Sequence, residues 1–195
     1  VSAQPLNTPP EAIVIGASAG ALEALSVILP ALPATFDLPI FVVVHVPPDK
    51  KSILAELFDA KCKVKVREAE DKEPIAGGTV YFATADYHLL VEADKTLSLS
   101  NDEPVLYSRP SIDVLFESAA DAYGPGLIAL MLTGANQDGA QGLKTVVQAG
   151  GTAIVQTPEG AYAAAMPEAA IAAAPSARVL SLKEISLYLQ GLEKA

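Results

Sequence analysis

Three side chains in this sequence could together make an activated hydroxyl: Ser18, His45 and Asp138. Ser18 lies in Gly16-Ala17-Ser18-Ala19-Gly20, a G-x-S-x-G turn whose small neighbours let a hydroxyl stand exposed at the head of a sheet. A serine hydroxyl is a weak nucleophile at neutral pH and needs a base. The chain has two histidines, His45 and His88. His45 ends an apolar, β-branched run, where open α/β sheets build their sites, whereas His88 falls in a hairpin region. The third member of such a set is a carboxylate that fixes the imidazole tautomer and stabilises the imidazolium, and Asp138 in "LTGANQDGAQGL" follows an apolar strand. Taken singly, Ser18 or Asp138 would serve equally well as a helix cap.

These residues need a scaffold that brings three loops to one edge. Residues 12–15 read as a short buried strand, and Leu22, Leu25, Ile28 and Leu29 then recur at helical spacing. "PIFVVVH" is a continuous run of the kind that forms a parallel strand covered on both faces. Ile53, Leu54, Leu57 and Phe58 mark one side of the next helix, "VKVRE" alternates as a strand, and "GGTVYFAT" with "HLLVEADKTLSLS" reads as further strands with a hairpin about residues 93–95. Pro110 and Ser111 open a helix with Ile112, Leu115, Phe116 and Ala119 inward; "LIALMLT" is a strand, residues 141–149 a helix, "TAIVQT" a strand and "AAIAAAP" a small-residue helix. The alternation predicts an α/β fold with a doubly wound, mostly parallel sheet, helices on both faces and a β-hairpin excursion in the middle. Residues 1–10 are proline-rich and aperiodic, as in a linker or disordered lead-in, and residues 11–195 form one domain.

The same glycine turn could instead cradle a phosphate at a helix N-terminus. A dinucleotide site wants a third glycine, but position 22 is Leu22, and it wants a ribose-binding acid at the end of the second strand, where His45 stands. A short-chain dehydrogenase would need a tyrosine with a lysine four positions on, which none of the tyrosines has. The formal charge of −10 argues against general attraction to nucleic acid or anionic lipid, and the apolar runs are shorter than the roughly 20 residues of a membrane span. A lone cysteine, Cys62, excludes an internal disulfide or a cysteine-based metal site and suits the cytoplasm; it reads as a half-buried structural residue in the strand-like run "KCKVKV".

The order Ser18, His45, Asp138 differs from the serine, acid, histidine order of the α/β-hydrolase fold. With the motifs "IGASAG", "VVVHVPP", "YFATADYHLLVE", "SRPSIDVLFESAA", "LTGANQDGAQGL" and "AIVQTPEGAYAAAMPEAAI", the chain closely resembles the catalytic domain of the chemotaxis protein-glutamate methylesterases from Ala12 to about Leu189. The resemblance implies a bacterial, cytoplasmic serine hydrolase that removes methyl esters from receptor glutamates and also deamidates receptor glutamines. It assigns Ser18 as nucleophile, His45 as base and Asp138 as orienting acid, with backbone NH groups at Ala19 and Ala135 as the oxyanion hole and His88 as a structural residue. It requires no metal or organic cofactor. Its partners would be the cytoplasmic helices of methyl-accepting chemotaxis receptors and, in most members, an amino-terminal receiver domain that is not encoded in these residues. Ala21, Val44 and Ala135 depart from the family pattern, where glycine, glutamine and methionine are usual. The alternative is a catalytically silent signalling or scaffold module of the same fold.

Overall fold

The computed structural model describes residues 8–45 and 53–192; most of the expected lead-in and the prolines of "VVVHVPP" lie outside them. All six residues of β1 (Ala12–Ala17) are buried, and all five of β2 (Ile40–Val44), as expected of strands covered on both faces. With β3 (Lys65–Glu68), β4 (Thr79–Phe82), β7 (Leu127–Met131), β8 (Thr152–Gln156) and β9 (Arg178–Leu180) they form one sheet in the order β3-β4-β2-β1-β7-β8-β9, parallel at every pairing. The separate antiparallel pair β5 (His88–Val91) and β6 (Leu97–Ser100) is the expected hairpin, turning through residues 92–96.

The pleat of β1 divides the core in two. Ala12 and Val14, with Phe41 and Val43 of β2, face the hairpin and the helices α3 (Ile112–Tyr123), α4 (Ala140–Gln148) and α5 (Ala165–Ala173). Ile13 and Ile15, with Val42, face α1 (Ala21–Ile28), α2 (Leu54–Asp59) and α6 (Leu182–Gly191). Fully burying each such branched side chain is worth roughly 1.5–3 kcal/mol, which is what holds the three layers together. From β1 the chain passes to its neighbour β2, then to the edge strand β3 and back to β4 between them, and α3 carries it to β7 on the opposite side of β1. The winding reverses between β1 and β7, and in open α/β sheets the crevice outside the strand carboxyl ends at such a point is where ligands bind.

Local details differ from the sequence reading. Leu22 and Ile53 are exposed; α1 buries Ala21, Ala24, Leu25 and Ile28, while α2 buries Ala55 and Phe58. Ile53 is the N-cap of α2, ahead of its first turn, and Leu22 lies off the buried stripe of α1. Cys62 is in the turn after α2, not in a strand: its NH donates to the Phe58 carbonyl, and β3 starts only at Lys65. It is half-buried, and desolvation pushes its thiol up to about 11, which makes it unreactive. The strand β9 and the helix α6 were not resolved as separate elements from the sequence. The start of α6 had a local signal in Ser181-Leu182-Lys183-Glu184, a complete capping box.

Candidate active site

Ser18 and His45 are the first residues beyond two neighbouring parallel strands. Ala17 pairs with Val44 in register, and the His45 NH donates to the Ala17 carbonyl at 3.2 Å. On the other side of β1, the Ser18 NH donates to the Thr133 carbonyl at 2.9 Å, tying the serine turn to the loop that carries Asp138. Three loops therefore meet at the carboxyl edge, as the spacing predicts.

Asp138 is fully buried and makes four polar contacts through its carboxylate. Its Oδ2 accepts from His45 Nε2 and from the Ile112 NH, both at 2.7 Å; its Oδ1 accepts from Ser111 Oγ at 2.8 Å and the Asp113 NH at 3.1 Å. Burial alone would raise its pKa, but the His45, Ile112, Asp113 and Ser111 hydrogen bonds outweigh that and hold the carboxyl below its ordinary value. The residue is thus both a partner of the histidine and a cap of α3, supplied from another loop. Ser111 occupies the N-cap position but makes no side-chain cap bond, because its hydroxyl is turned to Asp138. Asp113 in turn accepts from the Gly142 NH at 2.6 Å; burial first, and the nearby Asp138 charge, push it up to about 6 against the pull of that bond.

With Nε2 donating to a carboxylate, the lone pair of neutral His45 lies on Nδ1. Asn136 Nδ2 lies 3.4 Å from that nitrogen, and Asn136 Oδ1 accepts from the Asp138 NH at 3.2 Å. His88 is buried beneath: its Nδ1 accepts from the Ser111 NH at 3.1 Å, so its proton is on Nε2, which donates to the Glu103 carbonyl at 3.2 Å. His88 therefore braces the residue that holds Asp138 and lies outside the exposed edge.

The turn after Ser18 is made possible by Gly20, whose φ of 86° is costly for any side-chain-bearing residue. Thr133 clamps it, donating its hydroxyl to the Ala19 carbonyl at 2.8 Å and accepting from the Ala163 NH at 2.9 Å. Neither the Ser18 hydroxyl nor the NH groups of Ala19 and Ala135 have a hydrogen-bond partner among the described residues. Tyr162, largely exposed, lies over the turn, with its Cβ 2.5 Å from where a Cβ on Gly20 would be. Such an edge can do nucleophilic chemistry: a free hydroxyl, a neighbouring imidazole with a lone pair on Nδ1, a carboxylate kept ionised, and unpaired NH donors for a developing oxyanion. Sequence reasoning missed Thr133, Asn136 and Tyr162 and saw Ser111 only as a helix start. The helix-opening "SRPS" pattern marked the place of Ser111, but no local signal marked the other three.

A parallel sheet with such residues at its switch point is the plan of a hydrolase built on a doubly wound α/β fold. The pattern of the CheB methylesterase family matches residues 13–189. The chain belongs to the CheB methylesterase family. A Leptospira interrogans relative, whose provisional name pairs protein-glutamate methylesterase with protein-glutamine glutaminase, is 50% identical over 176 residues, covering 90% of this chain and 91% of the relative. Protein-glutamate methylesterase/protein-glutamine glutaminase 1 of Paramagnetospirillum magneticum is 39% identical over 188 residues, and there the match covers 94% of this chain but 49% of the relative. The crystal structure of the Thermotoga maritima CheB methylesterase catalytic domain superposes with a TM-score of 0.90 at 34% identity, covering 95% of this chain and all of that one.

Proposed function

We propose that this methylesterase works through Ser18 as nucleophile, His45 as general base and Asp138 as the acid that orients it, on methyl esters of glutamate in the cytoplasmic helices of chemotaxis receptors. The observation that carries the reading is the 2.7 Å bond from His45 Nε2 to Asp138, which puts the imidazole lone pair on Nδ1, at the strand end next to Ser18. Ser18 Oγ attacks the ester carbonyl as His45 Nδ1 takes its proton, and the oxyanion is received by the Ala19 and Ala135 NH groups. The tetrahedral adduct collapses, the imidazolium returns the proton to the departing methoxide, and methanol leaves an acyl-serine. Water attacks this ester with His45 again as base, restoring Ser18 and releasing the glutamate carboxylate. The same steps on a glutamine side chain release ammonia in place of methanol.

The proposal includes a bacterial cytoplasmic setting, since the receptor segments lie there, and control by a receiver domain as the family resemblance implies. Among the described residues no helix is long and apolar enough to cross a membrane. The test is methanol release from methylated receptor cytoplasmic domains, run beside labelling of the protein by a fluorophosphonate. Ser18→Ala is expected to abolish both and keep the fold, because the hydroxyl bonds to nothing among the described residues. Turnover by Ser18→Ala would remove the nucleophile assignment. Labelling at Ser18 without methanol release from any receptor would point to another acyl substrate, and no labelling to a silent scaffold.

A further inference from the structure

His45 is held at both ring nitrogens by one short loop. Nε2 meets the Asp138 carboxylate at 2.7 Å, and Nδ1 meets the Asn136 amide at 3.4 Å, two residues earlier. The orientation of the amide follows from its second bond: Asn136 Oδ1 accepts from the Asp138 NH at 3.2 Å, so the NH2 group must be the end that faces the ring. A flipped amide would set donor against donor at the Asp138 NH and acceptor against lone pair at Nδ1. Both contacts thus agree with the tautomer that Asp138 imposes. The ring contact is also long, at the weak end of hydrogen bonding, so it can be given up at small cost.

We propose that Asn136 is a positioning residue for His45: it holds the Nδ1 lone pair in its resting orientation and yields that nitrogen to the Ser18 proton at the start of each turnover. The inference rests on the reading of Ser18 and His45 given above. Its logic is competition for one lone pair. While the amide N–H points at Nδ1, it opposes rotation of the ring about its Cβ–Cγ axis. Once Ser18 transfers its proton, the new Nδ1–H faces an NH2 group, and the amide must move aside. The bond between Asn136 Oδ1 and the Asp138 NH is a pivot that keeps the loop in place while this happens.

Two variants separate these roles. Asn136→Ala removes both bonds; Asn136→Asp keeps an acceptor for the Asp138 NH but presents an acceptor to Nδ1 as well. Because the chain contains only His45 and His88, 15N-histidine spectra of the intact protein have two rings to follow. In Asn136→Ala the His45 Nδ1 resonance is expected to move towards that of an unbonded ring nitrogen, with the His88 signals unmoved as the control for folding. In Asn136→Asp the His45 Nδ1 is expected to acquire a proton, and fluorophosphonate labelling of Ser18 to slow by about 100-fold or more, the scale of a lost general base. An Nδ1 resonance identical in all three proteins, or undiminished labelling of Asn136→Asp, would overturn the proposal. Absence of labelling in the unsubstituted protein would instead remove the assignment of Ser18 as nucleophile, and the Nδ1 resonances would still decide whether Asn136 holds the ring.

Discussion

Ile112 occupies the space that a side chain on Gly16 would need: a Cβ there would come within 2.4 Å of Ile112 Cγ2. The fit seats the first turn of α3 directly on β1, and the Ile112 NH, 2.7 Å from Asp138 Oδ2, is brought to the carboxylate by it. Gly16, a residue of β1 two positions before Ser18, is thus needed for the position of Asp138, whereas the turn itself rests on Gly20.

Gly16→Ala is therefore expected to destabilise the protein by about 1–3 kcal/mol through overpacking and to lower ester hydrolysis by shifting α3 away from Asp138. Urea denaturation and turnover of a small activated ester check this. Combining it with Ile112→Ala should cost less than the sum of the two single changes, because both act on one contact. Strict additivity would mean that the contact is not where the damage arises.

Asp138→Asn is expected to reduce turnover by roughly 10⁴-fold, the scale for a triad whose histidine loses its orienting carboxylate. It should also lower stability, because the carboxamide cannot accept from Ser111, Ile112, Asp113 and His45 together. A change of less than tenfold in turnover, with the stability loss intact, would leave Asp138 as a cap of α3 only.

Ser111→Ala removes one of these four donors. Hydrogen bonds to charged groups contribute about 1.5–3 kcal/mol, so a loss of stability of that order is expected, with a fall in turnover much smaller than that of Asp138→Asn. Equal damage from the two substitutions, measured on the same ester, would show that the hydroxyl does more than support the carboxylate.

Asp113 gives a pH dependence of defined sign. Its folded-state pKa of about 6 is above the ordinary 3.8, so the native protein binds its proton more tightly than the unfolded chain. Stability from this group falls as pH rises from about 4 to 6, and the full penalty is present above that window. Asp113→Asn cannot ionise and retains an acceptor for the Gly142 NH. It should stabilise the protein by roughly 1–3 kcal/mol at pH 7.5, with the gain shrinking towards pH 4.5. Equal gains at the two pH values in urea titrations would rule this out.

Tyr162 stands exposed over the Gly20 turn beside Ser18. Tyr162→Ala is expected to leave hydrolysis of a small activated ester within about threefold of the unsubstituted rate while slowing methanol release from receptor domains by tenfold or more, because binding energy remote from the ester acts only on the large substrate. Parallel losses on both substrates would place the effect in the serine turn instead.

Much of this protein was legible in its sequence. Runs of β-branched residues identify β1, β2, β7 and β8, and spacing identifies the buried face of α3, because strand and helix periodicity are set by neighbours two to four residues away. The turn glycines and the chain order of Ser18, His45 and Asp138 were likewise local. What needed the tertiary structure were contacts between segments far apart in the chain. Nothing near Asp138 reveals that Ser111, Ile112 and Asp113, more than twenty residues earlier, converge on its carboxylate. Nor does anything near His45 reveal which of its nitrogens faces Asp138 and which faces Asn136, 91 residues away. Those choices come from how α3 crosses β1 and how the loop after β7 closes over the sheet edge. They depend on close packing at Gly16 and on the need to pair every buried polar group, conditions that only the assembled fold imposes.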